Sequence, residues 1–262
     1  IMSKSSTLKL ALLQTVLHWE SVEENLKMVE RKIELLSEDL DLVVLPEMFS
    51  TGFTMNPSKV AEENSGETMS RLIKLSIEND FAICGSFVAK ENGNYFNRFF
   101  WINEGKLEYT YDKRHLFRMA EENKVYSQGM ADVRIKFKGW NIMPRVCYDL
   151  RFPVWSRSSD VDLQIYVANW PAARVAAWDK LLLARAIENQ CYIIGVNRIG
   201  EDGNGIPYCG HSIAIDAKGD PISKTGNESE EWIFSSLDLD SLNDFRKKFP
   251  VALDADQFDI IP

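Results

Sequence analysis

At 262 residues, with 45% hydrophobic, 11% aromatic and 26% charged side chains, the chain has a soluble globular composition and enough material for a sizeable core. Its net charge of -9 and the dispersal of its Lys and Arg exclude a nucleic-acid-binding surface. No apolar run reaches the roughly 18 residues of a membrane span, and four widely spaced cysteines without a CxxC pair give neither a disulfide framework nor zinc-ligand spacing.

In chain order, the first strand lies near Leu8, within an N-terminal stretch that lacks the layout of a cleavable signal. With the unpaired cysteines, this gives the expectation of a cytoplasmic, reducing setting. Ser21 with Glu24 has the form of a capping box, and Val22, Leu26, Val29, Ile33 and Leu36 keep helical spacing to about Ser37. The apolar run 42–45 reads as a strand covered on both faces and stopped by Pro46, which cannot donate to a ladder, so Glu47 projects from its carboxyl end. A helix over 68–78 follows, then strands over 82–89 and 95–102 joined through the hairpin pair Asn92-Gly93. A turn at Glu104-Gly105 leads into an alternating strand that delivers Lys113 at its end.

Strands around Val133 and over 140–146 precede Cys147, which is followed at once by the polar turn Tyr-Asp-Leu-Arg-Phe-Pro. Beyond it come a strand over 163–167, a helix over 178–189 and strands over 193–197, 211–216, 221–225 and 232–237. Arg246, Lys247 and Lys248 read as the solvated end of a last helix, favoured there by its dipole. Helices between early strands, then hairpins, fit a mixed sheet with helices outside it. No repeat, linker or low-complexity tract interrupts residues 1–262, which predicts a single domain.

Ligands of open α/β sheets bind outside the carboxyl ends of strands. The carboxylate of Glu47, the ammonium of Lys113 and the thiol of Cys147 stand at three such ends and can converge on one cleft. Cys84 and Cys191 lie inside apolar runs and Cys209 in a Gly-rich loop, so Cys147 is the thiol placed to meet a substrate.

The words around these residues, LPEMF at Glu47, YDKRHLF at Lys113 and CYDLRFPVWSR at Cys147, resemble the nitrilase or carbon-nitrogen hydrolase superfamily. The stretches YDKRHLFRMAEEN, YVANWPAARVAAW and LLLARAIENQCYIIGVNRIG resemble its omega-amidase branch. The resemblance implies a four-layer α-β-β-α sandwich, a Glu47-Lys113-Cys147 triad, no metal, no cofactor and a homodimer of sandwiches packed face to face. It also implies a supporting carboxylate, matched by Glu122 rather than its neighbour Glu121. The implied reaction is hydrolysis of the terminal amide of 2-oxo dicarboxylic acid monoamides, with 2-oxoglutaramate and 2-oxosuccinamate as leading candidates, through a cysteine thioester.

In that chemistry Glu47 is the general base, Lys113 stabilises thiolate and oxyanion, and the backbone N–H of Tyr148 is the second oxyanion donor. Arg151 is the residue that branch uses to hold the substrate's carboxylate, against the alternative of an ion pair with Asp149. Trp170 and Phe53 are expected to wall the pocket. Other members of the superfamily (nitrilase, carbamoylase, aliphatic amidase) share the triad and remain alternatives, as do a catalytically dead scaffold and a Cys-His hydrolase using His115 or His211. The segment 200–205, GEDGNG, lacks the GK[ST] of a phosphate loop and reads as a turn.

Overall fold

The apolar run at the start of the chain forms strand β1 (Thr7–Gln14), central in a sheet because its side chains are buried on both faces. The computed structural model describes residues 6–225 and 228–260. The start of the stretch read for a signal layout, and the last two residues of the chain, lie outside them. Helix α1 (Val22–Glu34) packs Leu26, Val29 and Ile33 inward at helical spacing. It ends about a turn before the expected Ser37, and Ser21 makes no side-chain cap. Buried Asn25 does the anchoring instead, donating to the carbonyls of His18, Ser21 and Ser50 at 2.7, 3.0 and 2.8 Å.

After β2 (Leu42–Val44) come α2 (Pro57–Val60), α3 (Glu67–Asn79) and the meander β3 (Ala82–Glu91), β4 (Asn94–Asn103) and β5 (Lys106–Asp112). These strands form a six-stranded sheet in the order β14-β1-β2-β3-β4-β5, where β14 is Glu231–Asp238. The pairings β1–β2 and β2–β3 are parallel and the rest antiparallel. The short α4 (Glu122–Val125) leads to β6 (Ile135–Phe137), which starts later than Val133, and to β7 (Trp140–Val146). Next are α5 (Pro153–Ser156), β8 (Leu163–Ala168), α6 (Val175–Asn189) and β9 (Tyr192–Asn197).

A two-stranded ribbon, β10 (Ile199–Glu201) with β11 (Pro207–Cys209), carries a turn at 202–205, shorter than the expected 200–205 because Gly200 and Glu201 pair in β10. Strands β12 (Ile213–Ile215) and β13 (Pro221–Lys224) complete a second six-stranded sheet, β13-β12-β9-β8-β7-β6. Strand β12 is shorter than expected at both ends; His211 before it has φ +63°, outside extended geometry. Helix α7 (Leu239–Lys248) starts on Asp238, whose carboxylate accepts from Ser241 N at 2.9 Å. Arg246 departs from the solvated role expected of it: its guanidinium docks on Asp162 at 2.8 Å and on the carbonyls of Val161 and Gln190.

The layers follow from which face of each strand is apolar. Leu10, Leu12, Val44, Cys84 and Trp101 of the first sheet meet Ile142, Val146, Ile165 and Ile194 of the second in one buried seam. On its outer face the first sheet packs against Leu26 and Val29 of α1 and Met69 and Leu72 of α3. The second sheet packs outward against Trp178, Leu182 and Ala186 of α6. The order is therefore helix, sheet, sheet, helix, with the carboxyl ends of β2, β7 and β8 opening in one region. At Gly129, whose N–H donates to Lys113 O at 3.0 Å, a Cβ would lie 2.0 Å from the carbonyl oxygen of Asp112. Only glycine lets that loop lie against the end of β5.

Candidate active site

Three strand ends and one loop build the site. The chain leaving β2 is pinned to β3, with Leu45 N donating to Cys84 O at 2.7 Å and Met48 N to Ser86 Oγ at 2.8 Å, which turns buried Glu47 inward. Lys113 follows β5 directly and donates its N–H to Asn97 O at 2.9 Å. Cys147 follows β7 and opens a 3-10 turn, Cys147–Arg151, at φ +45°. A cysteine in the left-handed region is uncommon and is sustained only by surrounding contacts.

Asp149 supplies those contacts. Its carboxylate accepts from Val146 N at 3.0 Å, Tyr111 Oη–H at 2.7 Å and His115 N at 3.1 Å, and lies 2.7 Å from His115 Nδ1. Burial opposes its charge, yet His115, Arg145 and the Val146 amide hold the carboxyl below the ordinary aspartate range.

Lys113 Nζ sits 3.0 Å from Glu47 Oε1 and 3.0 Å from each oxygen of Glu122, and all three side chains are buried. The remaining acceptor capacity is met by Asn97 Nδ2 on Glu47 Oε1 at 2.7 Å, Asn169 N on Glu47 Oε2 at 2.6 Å and Phe117 N on Glu122 Oε2 at 2.6 Å. Burial disfavours the ammonium, but Glu122 and Glu47 outweigh it and hold the Lys113 pKa above its usual value. Burial raises Glu122, and Glu47 adds to the rise against the pull of Lys113. Burial likewise pushes the Cys147 thiol up, Glu47 reinforces this and Lys113 opposes it, so the resting sulfur keeps its proton. The resting arrangement is a neutral thiol beside a base.

A cavity of about 540 Å³ lies over this cluster, a size typical of small-molecule sites. Lys113, Cys147, Tyr148, Phe53, Trp170 and Arg151 all line it, and Lys113 Nζ stands 5.1 Å from the Phe53 ring centroid. The Arg151 guanidinium lies 5.1 Å from the Trp170 ring centroid and has no carboxylate partner among the described residues; Asp149 is engaged elsewhere. Glu121 is exposed and pairs with Lys124.

Neither candidate imidazole lines the cavity. His115 is stacked on Phe152 at 3.8 Å against Asp149, and His211 Nδ1 lies 3.0 Å from Asp179, so a Cys-His arrangement is not what the fold builds. Among the described residues no cluster of three or more His, Cys, Asp or Glu is placed to hold a metal ion. Cys84 and Cys191 are buried, with Cys191 pushed up to about 12 by burial.

Three participants escaped sequence reasoning: Asn97, Asn169 and the anchoring role of Asp149. Asn97 ties Glu47 to Ser86 and Glu122, and Asn169 embraces Glu47 twice, adding an Nδ2 bond to its carbonyl at 2.6 Å. The usable signal was a polar residue inside an apolar strand run, as in YFNRFFWI and YVANWP. Taken together, the arrangement offers a thiol, a carboxylate to take its proton and a fixed ammonium to meet developing negative charge.

Comparison with known proteins points the same way. A family model described as carbon-nitrogen hydrolase matches residues 9–247. The chain is 43% identical over 254 residues to omega-amidase YafV of Yersinia enterocolitica, covering 97% of this chain and 98% of that protein. It is 32% identical over 245 residues to a 2-oxoglutaramate amidase of Bacillus subtilis, covering 91% and 94%. Among solved structures it matches a CN-hydrolase superfamily protein of Xanthomonas campestris, which carries an arsenic adduct in its active site, with TM-score 0.94, 39% identity, and 97% and 99% coverage.

Every contact to Glu122 is a donor, so an amide there must aim its NH₂ at the Lys113 ammonium or the Phe117 N–H. Glu122→Gln is expected to lose about 1–3 kcal/mol of stability through a buried unsatisfied donor, read from urea unfolding, and at least roughly tenfold in turnover. Glu121→Gln, at an exposed position, should change stability by less than about 0.5 kcal/mol. A wild-type-like Glu122→Gln enzyme would make this carboxylate dispensable.

Proposed function

The chain belongs to the carbon-nitrogen hydrolase family, and from that premise we propose that it is an omega-amidase. Its reaction converts the terminal amide of a 2-oxo dicarboxylic acid monoamide, such as 2-oxoglutaramate or 2-oxosuccinamate, to the dicarboxylate and ammonia. The observation that carries the substrate assignment is Arg151, a guanidinium without a protein carboxylate partner, stacked on Trp170 in the cavity that holds Cys147. Guanidinium matches carboxylate geometry in a bidentate fork, and a chain of net charge -9 otherwise repels an anionic substrate. A neutral-amide substrate leaves that guanidinium without a task. The relatives named omega-amidase and 2-oxoglutaramate amidase support the same reading.

On this reading Cys147 Sγ attacks the amide carbon as Glu47 takes its proton. The oxyanion is met by the Lys113 ammonium and the Tyr148 N–H, while Glu122 and Asn97 fix Lys113 and Glu47 in place. Collapse breaks the C–N bond, and Glu47 returns the proton to the departing ammonia. A water, deprotonated by Glu47, then attacks the thioester, and the thiol is regenerated with its proton. Phe53 and Trp170 wall the site. The protein works in the cytoplasm, where free thiols stay reduced, and as a homodimer; light scattering at 30.0 kDa, the mass of one chain, would refute the latter. Among the described residues no helix is long and apolar enough to cross a membrane.

The direct test is ammonia release from amides with and without a terminal carboxylate, with Cys147→Ala as the inactive control. Arg151→Ala should lower the carboxylated-to-neutral ratio of kcat/KM by an amount equivalent to roughly 2–5 kcal/mol. An unchanged ratio would reduce the assignment to an unspecified aliphatic amide.

The pH profile follows from the shifted groups. The Lys113 and Cys147 pKa values are raised, so both groups keep their protons through the ordinary thiol range near about 8.5, and kcat/KM should stay flat to about pH 9. On the acid side Glu122, also raised, takes a proton above the ordinary glutamate value of about 4.3, so Lys113 loses a counter-charge and activity falls early. An alkaline limb at pH 8 to 9 would contradict the neutral resting thiol.

A further inference from the structure

Arg174 lines the same cavity as Arg151 and nothing above gives it a role. It closes the 3-10 turn Ala172–Arg174 and stands at the N-cap of α6, where the helix dipole disfavours a cation and the first turn carries no acid to offset it. Its half-buried guanidinium lies 5.1 Å from the Phe117 ring centroid, and among the described residues it makes no ion pair or hydrogen bond with the protein. Arg151 is in the same condition on Trp170, and the two perches are joined: Trp170 Nε1 donates to the carbonyl of Arg174 at 2.9 Å. Among the described residues the one acid in the cavity wall, Asp202, is used up within its own loop, accepting from Asn204 N, Ile206 N and Tyr208 Oη–H at 2.8, 3.1 and 2.9 Å.

Two uncompensated guanidiniums in one cavity, each pre-oriented by an aromatic face, exceed what a single carboxylate needs. We propose that Arg174 is a second specificity-determining residue: while Arg151 forks the substrate's carboxylate, Arg174 donates to the adjacent 2-oxo oxygen. The pair then selects 2-oxo acid amides over saturated ones of the same length. This rests on the omega-amidase reading above and adds to it the acceptor next to the carboxylate. Arg174 is a fork of planar donors and suits two neighbouring oxygens, as a lysine does not.

The experiment compares kcat/KM for 2-oxoglutaramate, glutaramate and pentanamide, three amides of equal chain length carrying both acceptors, the carboxylate alone, and neither. In Arg174→Ala the 2-oxoglutaramate-to-glutaramate ratio should fall roughly 10- to 100-fold, the loss of one charge-assisted hydrogen bond. Arg174→Lys should recover only part of it, and Arg151→Ala should instead depress the glutaramate-to-pentanamide ratio. Calorimetric binding of 2-oxoglutarate and glutarate to the same variants gives a readout independent of turnover, with Arg174→Ala expected to weaken the first more than the second. If the wild type prefers glutaramate to pentanamide but Arg174→Ala leaves the oxo ratio unchanged, or lowers all three substrates equally, the inference is wrong and the omega-amidase reading stands. If the wild type does not distinguish glutaramate from pentanamide, that reading falls and the inference falls with it.

Discussion

An ammonium buried out of reach of solvent sets the terms for everything around it. Desolvating Lys113 costs several kcal/mol unless counter-charge and hydrogen bonds surround it, and the fold answers with two carboxylates, Glu47 and Glu122, each 3.0 Å away. Those carboxylates in turn need donors, which come from Asn97, the Asn169 amide and the Phe117 amide. The cluster with both glutamates ionised carries one net negative charge. A thiolate formed beside it by simple loss of a proton to water would make two, which is why burial and Glu47 hold the Cys147 proton in place. Passing that proton to Glu47 leaves the net charge unchanged, and this is the step the arrangement makes easy.

The second requirement is to present sulfur to that cluster from a different sheet. Lys113 and Glu47 come from the sheet containing β2 and β5, Cys147 from the sheet containing β7. Asp149 joins them: one carboxylate oxygen holds Val146 N and Tyr111 Oη–H, the other His115 N, so the turn after β7 is bolted to the chain on either side of Lys113. Trp155 Nε1 adds a bond to the same tyrosine at 3.0 Å. The left-handed backbone at Cys147 is then over-determined by its neighbours. Local strain at a reactive residue persists only under such support.

Strand ends were legible because they are punctuated. Pro46 forbids continuation of β2, alternation before Lys113 marks β5, and the polar turn after Val146 marks the end of β7. The four-layer arrangement was legible through resemblance, not from periodicity, because α6 and the strands beside it read as apolar runs that do not say which sheet they join. What stayed hidden depends on partners distant in sequence. Asn97 and Asn169 look like ordinary polar positions until Glu47, 50 and 122 residues away, is placed beside them. The Ser21-Glu24 box does not form, and the helix start is held instead by Asn25, which donates to the carbonyls of His18, Ser21 and Ser50 and accepts from His18 N. Arg174 lies ahead of the helix read over 178–189 and carries no mark of function in sequence; only the shared cavity relates it to Arg151.

Charge also runs with depth. Beneath the cavity floor, where Lys113 shows, the buried cluster of Glu47, Glu122 and Lys113 is negative by one, while Arg151 and Arg174 in the cavity wall are positive and make no ion pair among the described residues. On the proposed reading this gradient orients a monoamide before any bond changes. A carboxylate entering toward the floor meets like charge in a low-dielectric setting, where repulsion is weakly screened, whereas the neutral amide does not. The carboxylate is drawn instead to the guanidiniums, leaving the far amide at the sulfur. Hydrolysis then converts that neutral end into a second carboxylate, which the floor repels. The same electrostatic asymmetry that admits the substrate in one orientation therefore favours expulsion of the product, with no moving part required.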